Sequence, residues 1–188
     1  MSMLARTMLV LCVVASTAPS VSRADQHAAE LPALFSRLGD AEGGAHAPEI
    51  EQKIWSLWFA APAPRAKQLF ESARQATQHG ALDEALATFT TLVKEFPDFA
   101  EAWNQRAIVR FLQNDISGAL ADVERTLALE PHHFGALTGR GQCYLRMEKP
   151  RQALVAFEAA LRVHPRLDGV ARQIEMLRAY VGPQQAPI

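Results

Sequence analysis

The sequence has few cysteines, few aromatic residues and almost no net charge. Two of its 188 residues are cysteine, aromatic residues make up 7%, and the formal net charge is −1. Nucleic-acid binding depends on an excess of Lys and Arg that faces the phosphates, and this chain has none. We therefore predict that the protein does not bind nucleic acid.

A short apolar run lies near the N-terminus, well below the length of a membrane span. Residues 8–15 (MLVLCVVA) are apolar, Arg6 precedes them, and Ser22 and Ala24 place small residues after them. A bilayer span needs about 20 apolar residues. A basic residue, a short apolar run and small residues before a cleavage point are typical of a secretory signal peptide. We predict such a peptide at residues 1–24 and no stable membrane insertion of the mature chain; a retained anchor is the alternative.

Loss of residues 1–24 also removes one of the two cysteines. Cys12 lies within the apolar run, so the mature chain keeps Cys143 alone. A single cysteine cannot form an intrachain disulfide, even in an oxidising compartment. The stability of the mature chain must therefore come from packing.

Motifs that carry chemistry are missing from the sequence. It has no haem-attachment motif, no zinc-protease motif and no phosphate-binding glycine loop after a strand. His132 and His133 form a metal site or a solvated linker, and we favour the linker. Cys143 is a nucleophile or a small buried residue, and we favour the buried residue. We predict no enzymatic activity and no cofactor or metal.

A repeat occupies the middle of the chain. Four positions recur at an interval of 34 residues without insertion or deletion, an alanine, a large apolar residue, an aliphatic residue and a proline: Ala85, Phe89, Val93 and Pro97, then Ala119, Val123, Leu127 and Pro131, then Ala153, Phe157, Leu161 and Pro165. A fixed interval in this range indicates a helical solenoid.

Each repeat divides into two helices. In the second unit they are predicted at residues 100–113 and 117–130, and a short polar break separates them. Pro97, Pro131 and Pro165 end the second helices, because proline cannot continue a helix. The fold class predicted from the pattern is all-α.

The units 66–99, 100–133 and 134–167 resemble the tetratricopeptide repeat (TPR). Unit three carries the fullest set of family positions: Leu137, Gly141, Tyr144, Ala153, Phe157, Ala160, Leu161 and Pro165. The resemblance implies a right-handed superhelix of helix-turn-helix units. It also implies that Gly141 and Ala153 let paired helices approach closely, and that Phe157 fills the space between neighbouring units.

Three arginines depart from the family pattern. Arg106 and Arg140 stand where leucine is usual, and Arg110 stands where an aromatic residue is usual. An unpaired buried arginine would be costly. We predict that their stems pack and their charged ends reach an edge, with Asp122 as a partner of Arg106 or Arg140.

The flanking segments are expected to cap the solenoid. Residues 25–65 are predicted to be a helical pair, and extending the 34-residue frame makes them a degenerate TPR unit, although Glu51 stands where the family has alanine. Trp55 and Trp58 in this segment are core residues or an exposed anchor, and we favour the core. Residues 168–181 are predicted to be a capping helix, and residues 182–188 a disordered tail.

The resemblance places a binding surface on the first helices of the units. The expected peptide-binding residues of the concave face are: Phe70, Arg74, Asn104, Gln105, Ile108, Phe111, Thr138, Gln142 and Arg146. TPR proteins that hold chaperone C-terminal carboxylates use Lys, Asn and Arg at set positions. This chain departs from that pattern, with Phe70, Gln105 and Gly139 among the residues found there.

These observations predict a non-catalytic TPR module that binds a protein or peptide in its concave groove. The chain is also similar to small exported bacterial TPR proteins, which implies a periplasmic location. The alternative is an accessory structural subunit of an envelope assembly or secretion complex. Such a subunit would dock by its convex face or by Trp55 and Trp58.

The mature protein is expected to begin at Asp25, because cleavage should follow Ala24. N-terminal sequencing of the exported protein tests this directly, with the protein made without export as the control. Exported protein that still carries residues 1–24 would contradict cleavage and support the retained anchor.

Overall fold

The computed structural model describes residues 29–40 and 46–182. This part of the chain folds into nine α-helices: α1 (Leu31–Gly39), α2 (Ala47–Trp58), α3 (Pro64–Gln78), α4 (Leu82–Glu95), α5 (Ala100–Leu112), α6 (Ile116–Leu129), α7 (Phe134–Arg146), α8 (Pro150–Val163) and α9 (Asp168–Val181). The predicted signal peptide and nearly all of the predicted tail lie outside the described residues. Within the described ranges, no helix is both long and apolar enough to cross a membrane.

Helices α3 to α8 form three consecutive hairpins, which confirms the predicted all-α solenoid. The pairs α3/α4, α5/α6 and α7/α8 pack together, and each second helix also packs on the next first helix. The first helices α3, α5 and α7 contact one another in order. They therefore line the inner face of the solenoid, as in other stacked helical repeats.

The turn inside each hairpin repeats the same backbone conformation. Gly80, Asn114 and Glu148 have positive φ angles of 76°, 64° and 57°. The amide that follows each of them donates to a carbonyl of the preceding helix, as in the bond from Ala81 to Ala76 at 2.9 Å. This left-handed helix end satisfies carbonyls that would otherwise lack a partner. The 34-residue interval is thus present in the backbone as well as in the side chains.

Close packing between α7 and α8 depends on a glycine facing a ring. Phe157 and Ala153 are fully buried. A Cβ placed on Gly141 would lie 2.3 Å from the Phe157 ring, so any larger residue there would push the helices apart. The packing roles predicted for Gly141, Ala153 and Phe157 are confirmed.

A buried ionic pair joins α5 to α6. Arg106 donates from Nε and Nη2 to both carboxylate oxygens of Asp122, at 2.8 and 2.6 Å. Arg110 adds a contact to the same carboxylate at 3.1 Å. The predicted partnership of Arg106 with Asp122 is confirmed, whereas Arg140 lies near Glu124 instead. The prediction that the charged end reaches an edge was wrong for Arg106, whose side chain is only 9% exposed because it pairs inside the hairpin. Two cations around one carboxylate account for charged residues where the family has leucine and an aromatic ring.

The N-terminal helix pair takes a different position from the stacked cap that we expected. Its buried core closes on Phe134 at the start of α7, with Val163 and Leu167 packed against it. Glu51, which stands where a repeat needs alanine, contacts His164 at 3.2 Å. A stacked repeat helix would pack extensively on α3, as α4 does on α5, whereas α2 packs on α1 and on the third hairpin. Its C-terminal end reaches α3, where Phe59 contacts Phe70.

Helix α9 covers the last hairpin with one apolar face. Val170, Ile174 and Leu177 are buried against α8, whereas Met176 and Tyr180 are exposed. Its buried apolar face covers the end of the repeat stack, as a terminal helix of a solenoid must do.

Replacement of Phe157 by alanine should destabilise the fold by ~3–5 kcal/mol, because it removes a fully buried ring and leaves a cavity. Thermal or urea unfolding followed by circular dichroism measures the change. Val155→Ala on the same helix is the matched control and should leave stability nearly unchanged, since Val155 is 62% exposed. Equal stability of Phe157→Ala and wild type would contradict the packing described above.

Candidate functional site

A pocket of about 720 Å³ lies between α2 and the inner face of the solenoid. Helices α5 and α7 form one wall, α2 forms the opposite wall, and Val123 of α6 lies at the base. The residues that line it are: Pro48, Glu51, Gln52, Trp55, Phe59, Asn104, Gln105, Ala107, Ile108, Phe111, Leu112, Val123, Gly135, Gly139, Gln142 and Cys143. Ile108 and Leu112 are 43% and 57% exposed, so aliphatic surface faces open space within the pocket.

A glycine of α7 brings two pocket walls together. A Cβ on Gly135 would lie 2.9 Å from Cη2 of Trp55, so the indole packs directly on the α7 backbone. A Cβ on Gly139 would lie 3.6 Å from Val123. Helix α2 can approach α7 this closely because Gly135 has no side chain.

A buried carboxylate organises the end of the pocket formed by α5. Glu101 is 1% exposed and accepts hydrogen bonds from Asn104 Nδ2 at 3.1 Å and Gln105 Nε2 at 2.6 Å. Nε2 of His133 lies 2.8 Å from the same carboxylate. A buried charge is tolerated when it is hydrogen-bonded in this way. The carboxylate therefore fixes the side chains of Asn104 and Gln105 on the pocket wall.

His133 connects this network to α2. Its Nδ1 accepts a hydrogen bond from the Ala136 amide at 3.1 Å and caps α7. Nδ1 therefore carries no proton, and Nε2 donates to Glu101. The imidazole stacks on Trp58 with ring centroids 4.0 Å apart. Our interpretation of the histidine pair as a solvated linker was wrong for His133, which is fully buried.

A second histidine holds α2 from the other side. His164 is 2% exposed, and its Nε2 lies 3.2 Å from Glu51. The other oxygen of Glu51 accepts a hydrogen bond from Trp55 Nε1 at 3.2 Å. Phe134 packs edge-on against both His164 and Trp55, at 5.0 and 5.2 Å between ring centroids. The position of α2 is thus set by both aromatic and polar contacts.

The structure brings together five of the predicted binding residues along this pocket: Asn104, Gln105, Ile108, Phe111 and Gln142. The other four do not line it. Phe70 was wrongly assigned, since it is 1% exposed and packs on Phe89 and Phe99. Arg74 lies over Phe59, and Arg146 lies over Phe111. Thr138 is half-buried on α7 beyond the pocket lining.

Sequence reasoning missed the wall contributed by α2. Trp55 and Trp58 were singled out, but the repeat frame gave no sign that they meet the third hairpin. Trp58 is 2% exposed, which confirms the prediction of a core role. The alternative of Trp58 as an exposed anchor was wrong, because its indole lies between His133, Phe134 and Phe35.

The reactive groups near the pocket are held in unreactive surroundings. Burial raises the pKa of the Cys143 thiol to about 11, and Cys143 is 2% exposed. This confirms the small buried residue and argues against a nucleophile, which needs an accessible thiolate. Among residues 29–40 and 46–182, no group of three or more His, Cys, Asp or Glu side chains is arranged to hold a metal.

Three stacked helical hairpins with an apolar pocket on their inner face define a helical-repeat solenoid protein. A model of the tetratricopeptide repeat matches residues 70–129. Tetratricopeptide repeat protein 36 of Bos taurus is 33% identical over 78% of this chain and 74% of its own length. A TPR repeat-containing protein of Rhizobium etli is 29% identical over 78% of this chain and 72% of its own length. The chain belongs to the tetratricopeptide repeat family.

Solved structures share this fold at low sequence identity. The first TPR of Spaghetti (RPAP3) bound to the HSP90 peptide SRMEEVD has a TM-score of 0.60 and 21% identity, over 62% of this chain and 92% of that chain. The Yersinia enterocolitica type III secretion chaperone SycD, in complex with a peptide of the translocator YopD, has a TM-score of 0.62 and 12% identity. That match covers 64% of this chain and 97% of the other.

Cys143 should resist thiol reagents in the folded protein. With a pKa near 11 instead of 9.0, the thiolate fraction at pH 8 falls roughly 100-fold, and burial lowers access further. Alkylation by iodoacetamide at pH 8, followed by mass spectrometry of the peptide that contains Cys143, measures the rate. The protein in denaturant is the control and should react fast. Equal rates in the folded and denatured protein would contradict the burial.

Proposed function

We propose that the protein is a non-catalytic TPR module that binds a protein or peptide segment in the pocket on its inner face. The observation that carries this proposal is the aliphatic surface of Ile108 and Leu112, which stays exposed in a pocket also lined by the half-buried rings of Trp55, Phe59 and Phe111. Apolar side chains in a concave site with a few placed polar groups are characteristic of ligand-binding pockets. Such pockets also supply the anchor positions that dominate binding energy at protein interfaces.

The solved relatives support this assignment by analogy. The RPAP3 repeat domain is bound to an HSP90 peptide, and the SycD chaperone is in complex with a translocator peptide. Both share the fold, but their sequence identity to this chain, 21% and 12%, is too low to transfer their ligands to it. The analogy supports peptide binding as a class, and the residues of the pocket must decide which peptide.

We also propose that the protein acts outside the cytoplasm. The support is the signal-peptide pattern of residues 1–24, with its basic residue, apolar run and small residues before Asp25. A bacterial source would make the compartment the periplasm. A protein with one remaining cysteine has no need of an oxidising compartment for its stability.

A second candidate function is that of an accessory subunit docking by its outer surface. Three exposed apolar residues lie away from the pocket: Val155 on α8, and Met176 and Tyr180 on α9. Scattered exposed apolar residues are common on soluble proteins, so these positions carry less weight than the pocket. Substitutions at these outer positions can be compared with substitutions in the pocket to distinguish the two functions.

Ile108→Gln combined with Leu112→Gln should abolish partner capture without unfolding the protein. Both residues are largely exposed, so the melting temperature should stay within a few degrees, whereas an apolar anchor would lose its contact. Quantitative affinity capture from periplasmic extract, with circular dichroism melts in parallel, gives both readouts.

The matched control is Val155→Gln, an equally polar change on an exposed helical aliphatic residue of the outer face. It should retain the captured partners. The opposite pattern, with partners lost by Val155→Gln and kept by the pocket variant, would move the binding surface to the convex face.

A further inference from the structure

We propose that the pocket selects an uncharged, apolar segment from the interior of a partner chain, held by its backbone N–H groups, and that it rejects acidic C-terminal peptides. This inference rests on the proposed peptide-binding function and specifies the ligand of that same pocket. It follows from the orientation of the amide side chains, from the charges along the pocket and from the surface that remains exposed.

The amide side chains of α5 are oriented by the buried carboxylate. A carboxylate only accepts hydrogen bonds, so the –NH₂ ends of Asn104 and Gln105 face Glu101. Their carbonyl oxygens point away from that carboxylate, and both side chains line the pocket. Gln105, the more exposed of the two, can therefore offer its carbonyl oxygen to the N–H donors of a peptide backbone, whereas Asn104, only 5% exposed, holds the wall in place.

Gln142 extends the same pattern along α7. Its Nε2 donates one hydrogen to Oε1 of Gln173 in α9 at 3.0 Å, which leaves its carbonyl oxygen and its second N–H as groups that can contact a ligand. Gln142 lines the pocket beside Gly139. Acceptors from two neighbouring hairpins thus lie on one side of the pocket, as an extended segment crossing α5 and α7 would require.

The charges near the pocket disfavour an acidic ligand. Among the lining residues, all of which the structure describes, Glu51 is the charged one, and its oxygens contact His164 and Trp55. Two arginines lie outside the lining but cover lining rings: Arg146 lies over Phe111 and bonds with Asn114, and Arg74 lies over Phe59 beside Glu71. A ligand carboxylate among the lining residues would lose hydration, and the nearby arginines already have Glu71 and Asn114 as partners, so its burial is unfavourable. An acidic peptide such as the SRMEEVD peptide bound by the RPAP3 domain does not fit these surroundings.

The remaining surface selects an apolar side chain. Ile108, Phe111 and Leu112 face Trp55 and Phe59 across the pocket. Its volume of about 720 Å³ falls within the usual range of ligand sites, about 300–1,000 Å³. A bulky aliphatic or aromatic side chain would bury this surface while its backbone meets the acceptors.

Two displayed peptide libraries test the proposal on the full chain. One presents random 12-residue segments between fixed flanks, and the other presents random C-terminal segments with a free carboxylate. The flanked library should yield binders rich in apolar residues and depleted of Asp and Glu. Selected peptides, acetylated and amidated, should bind the wild type at least tenfold more tightly than Ile108→Gln and within twofold of Val155→Gln, as measured by calorimetry.

A charge-exchange pair sharpens the result. Gln52 is exposed and lines the pocket on α2. An Asp substitution in a selected peptide should weaken its binding to the wild type. Gln52→Lys should then raise the affinity for this Asp peptide at least fivefold, whereas Arg151→Lys, on the exposed start of α8, should not change it. Retention of the Asp peptide by the wild type at full affinity would overturn the proposal.

The failure of this inference and that of the proposed function give different results. Binders that need a free carboxylate or acidic residues, yet lose affinity in Ile108→Gln, would overturn the inference and keep a peptide-binding pocket. Binders insensitive to Ile108→Gln, or no binders from either library, would overturn both. Binding of the neutral dye Nile red in the pocket without any peptide binder would overturn both in favour of an apolar small molecule.

Discussion

The buried carboxylate of Glu101 connects two repeat units and supports the surface on which α2 rests. It holds the imidazole of His133, which caps α7 on one side and stacks on Trp58 on the other. A carboxylate with essentially no exposure is stable here because N–H groups surround it. Removal of any donor would leave the buried carboxylate with an unsatisfied hydrogen-bond acceptor. The positions of α5, α7 and α2 therefore depend on one charged group. The amides that face the pocket are oriented by the same group.

Inside the central hairpin, too, charged side chains occupy positions where apolar side chains usually pack. Asp122 lies between Arg106 and Arg110, and the Arg106 guanidinium also lies 4.7 Å from the Trp103 ring centroid. Bidentate pairing restricts the helices to one relative position more strictly than aliphatic packing does. The benefit of such a buried pair is geometric rather than energetic, because desolvation offsets much of the attraction. The inner face of α5 therefore keeps a defined orientation toward the pocket.

The solenoid was predictable from sequence, whereas the site was predictable only in part. The proline stops and the Gly141–Phe157 contact involve residues of a single unit, and the 34-residue interval repeats that unit. A short sequence pattern therefore suffices to predict them. Ile108 and Gln142 followed from the same frame. Phe70 did not, because in the first hairpin the ring fills the core beside Phe99. The wall formed by α2 depends on contacts between segments more than one hundred residues apart in sequence, as between Glu51 and His164, and no short-range pattern encodes them.

The location of the indoles gives the molecule a built-in optical reporter. Two of its three tryptophans, Trp55 and Trp58, lie in α2 against the third hairpin, and the third, Trp103, donates to the Pro97 carbonyl within the central repeats. Ultraviolet emission therefore reports mainly on whether α2 is docked, while helical ellipticity reports on the whole solenoid. A shift of emission to longer wavelength with unchanged ellipticity would identify a state in which the groove is uncovered and the repeats remain folded.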